Sequence, residues 1–286
     1  TVDGTWGTIT ATETVGTSYA KGDSAKVTGS YTTVSTNDAD WGILQGQTTD
    51  GASYAKGNST LMASSYQTTA TVNGTWGTIT ATETAGESYA KGNVSLVSGV
   101  YTTVSTNDAD WGILEDQITD GISFQKGDTS LIASEYQTTL TGIDADWGVI
   151  QGTETIGTSY AKGNKALVSG KYTTLSTNDA DWGILEGQTT VGESYQKGNV
   201  SLIASEYNTQ ATVNAEWGTI DATETVGTSY AKGNKALVSG VYTTVSTNDA
   251  EWGILQDQAT EGISYSKGNT SLIASGYATT ATVDGT

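Results

Sequence analysis

The sequence predicts an all-β repeat protein, read as a parallel β-solenoid with an eight-bladed β-propeller as the alternative. Three observations predict it: tryptophan returns at a fixed period, aliphatic columns keep that period, and β-branched runs alternate with glycine corners without helical periodicity. Trp6, Trp41, Trp76, Trp111, Trp147, Trp182, Trp217 and Trp252 are 35 residues apart, with one step of 36 between Trp111 and Trp147. The 24 aromatic residues divide into three per repeat, so residues 1–286 read as one array of eight units of about 35 residues. Alternate units agree better than neighbours. Asn37-Asp38-Ala39-Asp40 returns at Asn107 and Asn178, whereas odd units carry Asp3-Gly4-Thr5 or Asn73-Gly74-Thr75, giving a higher-order unit of about seventy residues.

Within a unit, the first strand is expected from Trp6 to Thr12, a turn at Gly16, and a corner at Lys21-Gly22-Asp23. A second strand is expected from about Ala25 to Val34, and the acidic segment before the next tryptophan forms another corner. The first aliphatic column is Ile9, Leu44, Ile79, Leu114, Ile150, Leu185, Ile220 and Leu255, and the second runs through Val27, Met62 and Val97 to Ile273. Stacked coils need such columns for a continuous core. The residue before each column is often apolar too, as at Ile43 and Leu61, which predicts apolar groups on both strand faces. Residues 4–11 align with residues 22–29, as expected of two coils per repeat, while 35 residues are few for a four-stranded blade. Thr282-Val283-Asp284-Gly285-Thr286 repeats Thr1 to Thr5, which favours an open array over a closed ring.

The segment Ser159-Tyr160-Ala161-Lys162-Gly163-Asn164-Lys165-Ala166-Leu167-Val168-Ser169-Gly170-Lys171-Tyr172 follows an S-x-A-x-G-x-x-A-x-x-S-G-x-Y rhythm. In this it resembles the YadA-like head repeats of trimeric autotransporter adhesins of bacteria, over under half of each repeat. The resemblance implies a parallel β-roll at a cell surface, trimeric and adhesive.

Composition excludes several chemistries. Without Cys or His, disulfides, zinc–thiolate sites and Ser–His or Cys–His catalysis are impossible. A formal charge of −19 disfavours nucleic acid and anionic membranes, and no apolar run reaches the roughly 20 residues of a membrane span. Proline is absent where ordinary usage would supply about 14. With Met62 its only methionine, the chain is expected to be a processed form or a piece of a longer protein.

The candidate metal ligands are the acidic corners: Asn37, Asp38 and Asp40; Asn107, Asp108 and Asp110; Asn178, Asp179 and Asp181; Asn248 and Asp249. They offer hard oxygens suited to Ca²⁺, or else satisfy the amides of a solvated turn. Neither known calcium-loop spacing is present. No other cofactor is expected. Thr8, Thr10, Thr12 and Thr14 form a row like that of an ice-binding surface, but Ile43, Gln45 and Gln47 break it in the even units. The tryptophans read as structural aromatic columns, with sugar stacking as the alternative. Each corner lysine, Lys21 to Lys267, is expected to pair with a neighbouring acid. Glu13, Glu83, Glu154 and Glu224 recur where a catalytic carboxylate would be singular, so no enzyme is expected.

The resulting expectation is a structural or adhesive extracellular protein at a microbial cell surface, forming a rod or filament by end-to-end stacking. Its partner is another copy of itself. Carbohydrate binding to surface glycans, or ice binding, is the alternative.

Overall fold

The computed structural model describes residues 1–249 and 251–283; the terminal match at Asp284–Thr286 lies outside them. The described residues are all β apart from single-turn 3-10 corners. The strands are β1 (Ala11–Tyr19), β2 (Val27–Asn37), β3 (Leu44–Tyr54), β4 (Met62–Val72), β5 (Ile79–Tyr89), β6 (Val97–Asn107), β7 (Leu114–Phe124) and β8 (Ile132–Ile143). They continue as β9 (Ile150–Tyr160), β10 (Val168–Asn178), β11 (Leu185–Tyr195), β12 (Ile203–Val213), β13 (Ile220–Tyr230), β14 (Val238–Asn248), β15 (Leu255–Tyr265) and β16 (Ile273–Thr282).

The chain forms two compact units, Thr1–Gln137 with Ala145–Gly148, and Thr138–Asp144 with Val149–Thr286. In the first, β1 to β7 pair in chain order, each antiparallel to the next. In the second, β9 to β16 do the same. Strand β8 divides between the units: Ser134 bonds Ser123 of β7, and Thr138 bonds Thr155 of β9.

The all-β repeat is as expected, but the parallel solenoid is not: successive strands are antiparallel hairpins. Strand and link lengths explain the difference. An 11-residue strand such as β3 spans about 37 Å, and the six or seven residues that follow reach at most about 25 Å. Such a link cannot carry the chain back to start a parallel rung; it can only turn it around. Each repeat supplies two strands, where a propeller blade needs four. The expected turn at Gly16 is also corrected. Gly16 lies inside β1, directly opposite Tyr31 of β2, and the first strand starts at Ala11 instead of Trp6.

The two aliphatic columns stand at the first residue of a strand or beside it: Leu44 opens β3 and faces Asn37, and Val97 opens β6 and faces Tyr89. They are half-buried in most repeats, with Ile9, Leu255 and Ile273 exposed. The apolar residues before them line the connections. Leu61 lies under Gly92 of the next corner, where a β-carbon would stand 2.7 Å from that of Leu61. Ile43 and Ile113 lie likewise under Gly77 and Gly148. Successive corners therefore stack on one another, and these side chains do not wait for a second layer.

No side chain among the described residues is fully buried, and Tyr160 is the large hydrophobic residue among them most shielded from water. Cohesion comes instead from cross-strand rows. On one face, glycine and tyrosine alternate from strand to strand: Gly16–Tyr31–Gly51–Tyr66 in the first unit and Gly157–Tyr172–Gly192–Tyr207 in the second. Each tyrosine ring covers the bare backbone of its glycine, an arrangement that shields sheet glycines from water. Two residues along, every strand contributes a threonine to a second row. Thr33–Thr49, Thr68–Thr84 and Thr103–Thr119 bond through their hydroxyls at 2.8–2.9 Å, and Thr174–Thr190, Thr209–Thr225 and Thr244–Thr260 at 2.8–3.0 Å.

Candidate functional site

Three features could carry function: the connections bearing tryptophan, those bearing lysine, and one charged cluster on the sheet face opposite the threonine row. In a meander, alternate connections lie at opposite strand ends. Within each unit, the links from even to odd strands carry tryptophan at one rim, and the links from odd to even strands carry lysine at the other.

The tryptophan turn is built by the first acid or amide of its motif. Asp38 Oδ1 accepts the amides of Asp40 at 3.0 Å and Trp41 at 2.6 Å, and its Oδ2 accepts that of Ile43 at 3.0 Å. The Trp41 amide, helped by those of Ile43 and Asp40, holds the Asp38 carboxyl below the usual carboxylate range. Asp108, Asp179 and Asp249 repeat the pattern, accepting the amides of Trp111, Trp182 and Trp252. Asn214 does the same for Trp217, so the turn needs the oxygen and not the charge. The asparagines before these acids reach across the rim: Asn37, Asn107, Asn178 and Asn248 donate to the carbonyls of Ile9, Ile79, Ile150 and Ile220 at 2.9–3.2 Å. Asp40, Asp110 and Asp181 give backbone amides to the turn, and their carboxylates lie at exposed positions. The candidate calcium ligands are thus adjacent, but the first carboxylate of each set is engaged by backbone donors. Among the described residues, no three carboxylates gather as a metal site would require.

These turns leave the indoles in water. Trp217 is 65% exposed, Trp41, Trp111 and Trp147 are 82%, and the other four lie between. Indole is seldom so exposed, because it is the largest apolar side chain. Trp111 and Trp147 flank an open groove of about 550 Å³ lined by Asp108, Ile113, Ala145 and Asp146.

At the other rim, Lys21, Lys56, Lys91, Lys126, Lys162, Lys197, Lys232 and Lys267 all adopt left-handed backbone conformations, with φ of 50° to 58°, ahead of a glycine also at positive φ. Two successive left-handed residues reverse the chain within one turn. Glycine or asparagine suits that conformation; lysine is strained there. None of these eight ammonium groups is seen in an ion pair among the described residues, contrary to the expected pairing. Sequence reading identified the motif but not its backbone, which depends on hydrogen bonds such as Asn93 N–H to Ala90 O.

The charged cluster lies in the second unit. Lys235 reaches from its corner to Glu193 and Glu206, Tyr195 donates to Glu193 at 2.7 Å, and Tyr230 donates to Glu206 at 2.5 Å. Burial, then the hydrogen bond to Glu193, pushes the Tyr195 phenol up to about 12. The bonds from Lys235 and Tyr230 hold Glu206 below its usual value, and Glu206 in turn raises Lys235. A shallow concavity of about 610 Å³ adjoins the cluster, bordered by Lys171, Val191, Asn208 and Val226. Its charged groups pair with one another, which suits it to holding strands together. The sequence hid it, because Glu193, Glu206 and Lys235 are 13 and 29 residues apart and meet only once β11, β12 and β13 pair.

No family model matches the chain, and no curated protein matches it.

Proposed function

We propose that this protein is a structural, adhesive repeat of a microbial cell exterior that extends end to end by adding strands to its sheet. The observation that carries the reading is that β1 and β16 are the outermost strands of their units and carry the repeat in phase. Tyr277 and Thr279 of β16 hold the places that Tyr31 and Thr33 hold in β2, which pair with Gly51 and Thr49 of β3. A following copy of β1 would therefore offer Gly16 to Tyr277 and Thr14 to Thr279, continuing both rows without a break. Every residue of β16 is exposed, whereas the equivalent positions of β2 are largely half-buried. Open strand edges bind further strands unless they are blunted. Repetition of the tryptophan and lysine turns also suits a scaffold better than a catalyst.

The chain has no cysteine, so a double variant, Thr14→Cys with Thr279→Cys, tests the reading cleanly. Oxidation should produce a ladder of covalent multimers on a non-reducing gel, and negative-stain images should show filaments that lengthen with concentration. Monomers only, whether uncrosslinked or closed on themselves, would refute extension.

A further inference from the structure

Within each unit, the lysine rim and the tryptophan rim differ sharply in charge. Eleven of its twelve lysines lie in the odd-to-even connections, accompanied there by two carboxylates, Asp23 and Asp128; Lys171 of β10 is the exception. The segments that carry the tryptophans, residues 3–10 and the even-to-odd connections, hold twelve carboxylates and no lysine. Both rims repeat every two strands, a pitch of about 9.5 Å. From these facts we infer that the lysine rim of one copy docks onto the tryptophan rim of a second copy, each ammonium entering beside an exposed indole and, in every turn but that of Trp76, near at least one carboxylate.

Four observations converge on that partner. The charges are complementary. The pitches are equal, because the same 35-residue unit sets both. Exposed indole faces attract ammonium groups through their ring quadrupole, and a carboxylate one residue before the indole, as Asp40 is before Trp41, adds a second anchor. Finally, all eight corner lysines are kept at φ 50–58° although asparagine would fit that conformation better. The side chain, and not the turn, must then account for lysine at every corner. A single exposed contact of this kind is weak, but contacts repeated at one pitch act together. The two surfaces differ, so the contact is head-to-tail and leaves a free rim on each side: it propagates along the strand direction. This contact is separate from strand addition at β1 and β16 and does not depend on it.

Two full-length variants test the inference. One carries K56N, K91N, K126N, K162N, K197N and K232N, with asparagine chosen because it tolerates the corner backbone. The other carries W41T, W76T, W111T, W147T, W182T and W217T, and circular dichroism verifies the strand content of both. Strand addition at β1 and β16 is the same in every pairing, so the immobilised lysine variant should capture at least tenfold more of the tryptophan variant than either variant captures of itself. That excess should fall at least tenfold between 20 mM and 500 mM NaCl, as exposed charge pairs are screened. Mixed capture no greater than self-capture, or an excess in the mixed pair that salt leaves unchanged, would overturn the inference. So would wild-type protein that captures no copy while a soluble β-linked oligosaccharide shifts its tryptophan emission; that result would make the rim a sugar platform. The Thr14–Thr279 crosslink reports only on the sheet edge, so failure of one contact is distinguishable from failure of the other.

Discussion

The ring of Tyr172 lies across the α-carbon of Gly157, its register partner in the neighbouring strand, so closely that a β-carbon on Gly157 would stand 2.6 Å from the phenol oxygen and nearer still to the ring. The same contact joins Gly16 with Tyr31 and Gly227 with Tyr242. In a sheet with so little buried side-chain area, these contacts take over much of the work of a core.

Gly157→Ala is therefore expected to destabilise the second unit by about 1–3 kcal/mol, the usual cost of overpacking. Urea denaturation followed by tyrosine fluorescence measures it. Adding Tyr172→Ala should recover part of the loss, because the clash disappears with the ring. An additive double variant would show that the ring does not make this contact.

At the lysine corners the opposite sign is expected. Lys91→Asn should stabilise the fold by up to about 1 kcal/mol, since φ of 58° penalises lysine more than asparagine. Lys91→Val should destabilise it, a β-branched residue being still less suited to that conformation. Thermal unfolding of the pair compared with the parent protein reads both.

The threonine row should show coupling. Thr209 and Thr225 share a hydrogen bond of 2.8 Å, so each single valine variant should cost about 0.5–1.5 kcal/mol. The double variant T209V/T225V should cost less than the sum of the two, because no hydroxyl is left without its partner. A double-mutant cycle measures the difference.

Alkaline titration should single out Tyr195. Its phenol titrates at about 12 in the folded protein against an ordinary 10.0, so the folded state holds this proton more tightly than the unfolded state does. Its contribution to stability is intact below pH 10 and is lost as pH rises from there through about 12. The difference in tyrosinate absorbance between the parent protein and Tyr195→Phe should thus have its midpoint near pH 12. Glu206 has the opposite sign: its pKa is lowered, so its contribution is present above the ordinary value of 4.5 and is lost as pH falls below it. Lys235→Met should move the Glu206 titration upward, as carbon-13 NMR of the carboxyl would record.

The local features of the fold were legible in the sequence. Period, strand content, and the corners at Lys21-Gly22 and at Asp38 to Gly42 depend on residues within a few positions of one another, and reading along the chain finds them. Strand direction was not legible. The columns through Leu44 and Val97 look alike whether the chain coils or doubles back, because both topologies place an aliphatic residue at each strand start. Threonines such as Thr12 and Thr14 suggested a row along one strand, whereas the continuous row runs across strands through Thr14, Thr33 and Thr49. Those residues are 19 and then 16 positions apart, an alternation with no meaning until antiparallel register makes them neighbours. Gly16 read as a turn because the ring that requires it, that of Tyr31, arrives from the next strand. The repeating β module and its corners follow from local backbone preference, which is written along the chain. Pairing direction, register, the segregation of lysine from tryptophan at opposite strand ends, and the meeting of Lys235 with Glu206 arise in the folded sheet, from hydrogen bonds between strands that chain order does not encode.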